Sequence, residues 1–237
     1  MTSALKPIIL YGGLLGPNPP KVAILLGELG LPYETKQIPI TEVKGPEYTK
    51  INPNGRLPAI EDPNTGITIW ESGAILEYLV AEYDKDYKLS FPAGTPEFYH
   101  AKQWLHFQMS GQGPYYGQVF FFKHYHSEKV QSVIDRFIKE AKRVSKVLDT
   151  HLESREWLVG DKCTYVDLAF LPWQAGVASF LEGEPLGCDP AKEFPHVEAW
   201  MDRMKAKPAV AKIWEARNAQ RAALVKAQAE KAAEDKK

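Results

Sequence analysis

Hydrophobic and polar positions follow two rhythms along the chain. In residues 7–80 the apolar runs are short and mostly of strand length. Ile8-Ile9-Leu10-Tyr11 predicts a strand. The chain then passes Gly16-Pro17-Asn18-Pro19-Pro20-Lys21 and becomes helical, with Val22, Leu25, Leu26 and Leu29 at helical spacing on one buried face. Asn18 can cap this helix, and Pro19 suits its first position. The free N–H groups and positive end of the helix would then face whatever lies beside Asn18. Gly30-Leu31-Pro32 stops the helix, and Tyr33 to Ile38 predicts a second strand. Gly45-Pro46 opens a short helical or irregular piece, and Asn52-Pro53-Asn54-Gly55 is a turn cluster. Two further strands, Leu57 to Ile60 and Ile67 to Trp70, flank a hairpin loop at Asp62-Pro63-Asn64-Thr65-Gly66. Glu71 to Leu79 reads as a helix.

Beyond this point the rhythm is helical throughout. Residues 85–95 combine charge, Pro and Gly and read as a linker. Glu97 to about Lys123 predicts one long aromatic-rich helix, bent near Gly111-Gln112-Gly113-Pro114 because proline removes a helix hydrogen bond. Ser127 can cap the next helix, whose apolar stripe runs from Val130 and Ile134 through Ile138, Ala141 and Val144 to Leu152. Thr164 and Asp167 form a capping box with Asp in place of Glu. Helices follow over Val197 to Lys205 and Ala209 to Arg217, and the Ala-, Lys- and Glu-rich remainder predicts a solvated helix or frayed tail. The β-α-β-α-β-β-α order of the first part is that of a thioredoxin-like domain. The expected fold is therefore α/β plus all-α, with a thioredoxin-like domain at 1–84, a linker at 85–95, a helical bundle at 96–218 and a tail at 219–237.

Composition narrows the function. The 237 residues are ample for a core, and 44% apolar with 25% charged residues is ordinary for a globular protein. A net charge of -1 gives no footprint for nucleic acid or a membrane surface. No apolar run approaches the length of a bilayer span, and Met1 to Pro7 lacks the apolar segment of a secretory signal, so a cytoplasmic setting is expected. The two cysteines, Cys163 and Cys188, form no C-x-x-C pair, so any thiol chemistry must draw its sulfur from a ligand. Gly111, Gly113 and Gly117 follow no strand and are no dinucleotide loop. His124 and His126 lack a third ligand at useful spacing, so no metal is expected. Cys163 and Asp167 read as structural.

The layout resembles the cytosolic glutathione transferases. The resemblance rests on Asn52 to Ile60, Trp70-Glu71-Ser72-Gly73-Ala74-Ile75-Leu76-Glu77-Tyr78-Leu79, and Trp157-Leu158-Val159-Gly160-Asp161-Lys162 followed by Thr164 to Ala169. Pro17-Asn18 with Lys21, Trp104 to Gln108, Gly113-Pro114 and His124 to Lys129 are similar to the fungal group around the yeast prion nitrogen regulator and to the bacterial nu class.

That resemblance implies a site for glutathione. Such a site must grip the ligand's charges and lower its thiol pKa, since the thiolate is the nucleophile. Asn18 would stabilise the thiolate through its amide and the helix start, with no role as a base. Tyr11 is the rival donor, as other classes use a tyrosine near the end of the first strand. Gly16 stands where bacterial relatives carry a second, hydroxyl donor. Leu57-Pro58 resembles the family's cis-proline step and would pair with the cysteinyl backbone. Glu71 would meet the amino group of the γ-glutamyl end, and Ser72 its carboxylate. Lys44 and Arg56 are candidates for the glycine carboxylate, while Val43 replaces a polar contact. Arg136, in an apolar stripe, matches an arginine that reaches a second glutathione. Tyr115, Tyr116 and Phe120 are candidates for the pocket of the second substrate, with Phe121 and Phe122 beside them on the same helix.

The expected function is conjugation of glutathione to small electrophiles by a homodimer, in detoxification or biosynthesis. Glutathione-dependent disulfide reduction or peroxidase activity is a close variant. The alternative is a non-catalytic glutathione-binding regulator with a protein partner.

Overall fold

The computed structural model describes residues 4–234, with side chains through residue 226. The first three residues, and the last three of the expected tail, lie outside the described residues. Four short strands, β1 (Ile8–Tyr11), β2 (Tyr33–Lys36), β3 (Ala59–Asp62) and β4 (Ile67–Trp70), form one sheet in the order β2-β1-β3-β4. β1 and β2 are parallel, which demands a crossover, and α1 (Asn18–Glu28) supplies it. β3 runs antiparallel to both β1 and β4. The register sets Tyr11 opposite Lys36 on one side and Ala59 on the other.

Packing divides the chain into two compact units. One runs to Ile75 and resumes at Lys205; the other is Leu76–Met204. α3 (Ser72–Tyr83) carries the chain from the first to the second.

In the first unit α1 is more enclosed than its periodicity suggests. Val22, Ala23, Ile24, Leu25 and Leu26 are all fully buried, not just one face. The reason is the last helix, α11 (Pro208–Glu234), which packs against α1 as the sheet does. A Cβ at Gly27 would lie 3.2 Å from the Ala209 methyl, and Lys207 pairs with Glu28 at 2.8 Å. By spacing, Ala209 to Arg217 belongs to the helical half, with a solvated helix or frayed tail beyond; in the structure Val210 and Ile213 are buried in the first unit, and α11 continues to Glu234. Positions 221–226 of α11 are exposed.

α11 also reaches the loop after β1. The Arg217 guanidinium donates from Nε to the Leu14 carbonyl at 3.1 Å. Arg217→Met is expected to leave the fold intact and to cost about 1.5–3 kcal/mol, the value of a hydrogen bond from a charged donor. Hydrogen exchange should then quicken at the amides of Gly13 to Gly16, while the core amides of β1 hold their rates.

The second unit is helical. It holds most of α3, then α4 (Pro96–Phe107), α5 (Gly113–His124), α6 (Gln131–Leu152), α7 (Tyr165–Gln174), α8 (Val177–Leu181), α9 (Pro190–Glu193) and α10 (Pro195–Lys205). The bend in the long helix takes the form of a π-helical turn, Gln108–Gln112, which ends two residues before Pro114. A proline there has no N–H to donate, and its ring displaces the carbonyl one turn back. Buried amides brace the turn: Gln108 donates to Gln112 at 3.0 Å, and Gln112 to Gln174 at 3.1 Å.

Ser127 does not cap α6, which begins four residues later beside Val130. The intervening segment folds on itself, the Glu128 N–H donating to His126 Nδ1 at 3.2 Å. The expected linker is tied down. The Asp84 carboxylate accepts from the N–H groups of Lys88 and Leu89 at 2.9 and 2.8 Å and from the Ser90 hydroxyl at 2.6 Å. The capping box at Thr164 and Asp167 forms as the spacing predicts.

Candidate functional site

The first unit gathers most of the residues singled out in the sequence. After β1 the chain turns at Gly12, whose φ of +133° and nearness to Pro19 (2.9 Å from a Cβ to the ring) require glycine. α1 then starts at Asn18 itself, with Pro17 flanking it at φ −82°, ψ −24°. Asn18 is thus the first helical residue rather than the cap, because Pro17 already has helical dihedrals. Pro17, Pro19 and Pro20 carry no N–H, so this helix start offers few backbone donors and a weaker pull on an anion than an ordinary one. The Asn18 side chain is half-buried.

Tyr11 is engaged elsewhere. Its hydroxyl lies 3.3 Å from the Lys36 ammonium and also bonds the Glu61 carboxylate. Burial, with the bond to Glu61, raises its pKa against the pull of Lys36. Tyr11 is thus less acidic than an ordinary tyrosine and is tied to its strand neighbours.

The turn before β3 is built around buried Asn52. Asn52 Nδ2 and the Tyr48 hydroxyl both donate to the Arg56 carbonyl, at 2.7 and 2.8 Å. Burial pushes the Tyr48 pKa up to about 12, so its hydroxyl keeps its proton. Gly55 is needed here: at φ +59°, a Cβ would stand 2.6 Å from the Val43 carbonyl. The peptide bond of Leu57-Pro58 is cis, as its likeness to the family suggests. Leu57 is half-buried and Pro58 buried.

A polar line crosses this surface. Lys44 Nζ donates to the Asn54 carbonyl at 2.6 Å, and Asn54 Nδ2 reaches Glu71 Oε1 at 3.5 Å. Glu71 joins β4 to α3 at φ +73°, a left-handed conformation costly for a side chain of this kind. Ser72 opens α3 and is buried. Its hydroxyl accepts from Lys21 Nζ at 3.4 Å. Lys44, Glu71 and Ser72 are thereby brought to one region with Asn54 and Lys21. Arg56 is exposed beside them in sequence.

Lys21 is the residue that sequence reasoning passed over as anything more than a marker. Its signal was present: one lysine inside the apolar run from Pro19 to Leu26. Val43 packs its side chain in a core cluster with Tyr11, Tyr48 and Ala59.

Two side chains of the second unit lie otherwise than the spacing suggests. Tyr116 is core: fully buried, with its hydroxyl bonded to Ser145 at 2.9 Å and to Gln174 and the Ala141 carbonyl at 3.2 Å. Burial raises its pKa. It cannot line a pocket. Arg136 is exposed on α6 rather than turned toward the apolar stripe, so burial does not oblige it to hold an anion. Tyr115 is half-buried against Phe137, and Phe120 is exposed beside His124 and Phe180. A cavity of about 280 Å³ in this unit is bordered by His100, Trp104, His151 and Arg155 and by none of the expected site residues.

Cys163 is buried, and burial with a bond to Glu193 pushes the Cys188 thiol up to about 11. Among the described residues no group of His, Cys, Asp and Glu is arranged to hold a metal, and no helix is long and apolar enough to cross a membrane.

Comparison with known proteins follows the same division. The family model described as glutathione S-transferase, N-terminal domain, matches residues 6–81, and that for the C-terminal domain matches residues 114–208. A glutathione S-transferase-like protein of Aspergillus fumigatus, tpcF, is 51% identical over 216 residues, covering 88% of this chain and 95% of the relative. The transcriptional regulator URE2 of Saccharomyces cerevisiae is 34% identical over 245 residues, covering 88% of this chain and 68% of the regulator. Among solved structures, the glutathione transferase URE2P6 of Phanerochaete chrysosporium, in complex with oxidized glutathione, superposes with a TM-score of 0.85. It is 48% identical and covers 92% of this chain and 99% of its own.

Proposed function

Because the chain belongs to the glutathione S-transferase family, we propose that it is a glutathione transferase that binds the tripeptide on its first unit and delivers the sulfur, as thiolate, to a small electrophile. The observation that carries the reading is the polar line from Lys44 through Asn54 to Glu71, with Ser72 at the head of α3. It offers opposite charges to the two ends of a zwitterionic peptide. In this reading Lys44 and Arg56 take the glycine carboxylate, and the backbone of Leu57 beside Pro58 pairs with the cysteinyl residue. Glu71 takes the amino group, Ser72 the γ-glutamyl carboxylate, and Asn18 the sulfur.

The chemistry needs no protein base. Asn18 donates a hydrogen bond to the thiolate and lowers the cost of losing the thiol proton to solvent. The thiolate then forms a C–S bond and expels the leaving group of the electrophile. Tyr115 and Phe120 supply aromatic surface for that substrate, and the working form is a homodimer. Disulfide reduction is the related activity we place second. The similar Phanerochaete transferase holds oxidized glutathione, the disulfide of two glutathiones, and exposed Arg136 is available to the carboxylate of a second molecule.

The test is retention on immobilised glutathione together with turnover of 1-chloro-2,4-dinitrobenzene, 2-hydroxyethyl disulfide and cumene hydroperoxide. Retention with conjugation is the expected result. Disulfide turnover exceeding conjugation makes reduction the main activity. Retention with no turnover of the three would replace the enzyme by a glutathione-binding regulator.

A further inference from the structure

Lys21 has an uncomfortable position. It is 1% exposed, on a helix whose next five residues are fully buried and apolar. Burial pulls its pKa down to about 7, with the Glu71 carboxylate pulling the other way. The unfolded chain therefore binds its proton more tightly than the native one. By linkage, stability is lost as pH falls from the ordinary lysine range toward 7. Packing alone gives no reason for a charge here, since an apolar side chain of similar length would fill the space at less cost.

The neighbours of the ammonium suggest what it does. The ammonium donates to the Ser72 hydroxyl at 3.4 Å, and the carboxylate of Glu71, the residue before that serine, favours its charge. Just before α11, the other helix packed against α1, Lys207 is paired with Glu28, and on α11 itself Arg217 is bonded to the Leu14 carbonyl. β1 contributes buried, neutral Ile8 and Leu10. Lys21 donates to Ser72, so the serine oxygen is the acceptor in that bond.

Resting on the reading that the head of α3 receives the γ-glutamyl end of glutathione, we propose that Lys21 is a positioning residue. It stands behind Ser72 as the fixed countercharge for the γ-glutamyl α-carboxylate and turns the serine hydroxyl toward it. Lys21 does not touch the ligand. A carboxylate arriving on the far side of Ser72 favours the ammonium over the neutral amine. Binding near neutral pH therefore draws a proton from solvent into Lys21.

Calorimetry on the full chain tests this with two ligands. One is S-methylglutathione, whose sulfur has no proton to confuse the count. The other is its 4-aminobutyryl counterpart, which lacks only the α-carboxylate. Titrations at pH 7.5 in buffers of different ionisation enthalpy read affinity and proton uptake together. In the wild type, S-methylglutathione is expected to bind at least about tenfold more tightly than the counterpart, and it alone should take up a proton. Lys21→Met should lose about tenfold in affinity for S-methylglutathione and lose the uptake, with affinity for the counterpart unchanged. The variant should also melt at a higher temperature than the wild type at pH 7, because the strained charge is gone.

Unchanged binding of S-methylglutathione by Lys21→Met overturns the proposal, and so does an equal loss for both ligands. If the variant does not fold, the wild type decides: equal proton uptake with the two ligands overturns it. A wild type that binds neither ligand refutes the glutathione site itself, a result distinct from all of these.

Discussion

Replacing Asn18 by alanine is expected to lower kcat/KM for conjugation about 100-fold, in the range found when one donor to a developing anion is removed. The apparent pKa of the bound thiol should rise toward that of the free thiol, about 8.5–9. The expectation is large for a local reason. An ordinary helix start would leave several backbone N–H groups to share the sulfur's charge. Here Pro17, Pro19 and Pro20 remove three of them, and Gly16 offers no side-chain hydroxyl. The KM for glutathione should change little, because the charged ends of the ligand are held by other residues. Tyr11→Phe is the control: its hydroxyl is bonded to Lys36 and Glu61, so activity should stay within a few-fold of the wild type. Spectroscopic titration of bound thiolate near 240 nm, on both variants, checks the assignment. An unchanged thiol pKa in Asn18→Ala, with activity lost in Tyr11→Phe, would transfer the role to the tyrosine.

Asp167→Ala is expected to be the most damaging substitution for the fold, costing about 3–5 kcal/mol. Asp167 is fully buried and its carboxylate accepts four hydrogen bonds. They come from the N–H and hydroxyl of Thr164 at 2.8 and 3.0 Å, the Leu158 N–H at 3.0 Å and the Trp200 indole at 2.9 Å. Burial raises its pKa and these donors pull it down again, burial being the larger influence. Removing the carboxylate leaves all four donors buried without it and unties α7 from α10 and from the segment before Thr164. Urea unfolding should show the loss, with activity per folded molecule unchanged. Asp167→Asn keeps one good acceptor and should lose less. A fall in activity of the folded fraction larger than the fall in stability would instead give Asp167 a part in the chemistry.

How far the sequence carries can be judged from these residues. Strand β1, the hairpin of β3 and β4, the stripe of α6 and the Thr164–Asp167 box are local, because each is set by side-chain periodicity or by spacing within one turn. The chemistry of Leu57-Pro58, Glu71 and Ser72 was accessible only through likeness to a family, since Glu-Ser at a helix start is otherwise a common cap. Tyr116 and Arg136 went wrong for the same reason as each other. Periodicity says that a helix has a buried face but leaves the angle of each position to the packing, and a shift of one residue turns a side chain by about 100°. The structure put Tyr116 inside and Arg136 outside.

The chain by itself determined a strand-and-helix first part and a helical second part. Those follow from local spacing. Only the tertiary structure decided that α11 folds back on α1, because that contact joins residues nearly two hundred positions apart. It also decided that Asn18 begins its helix rather than caps it, and that Lys21 lies buried against Ser72. A lysine among apolar neighbours looks on paper like a surface position, and the partner that gives it meaning is 51 residues away in sequence.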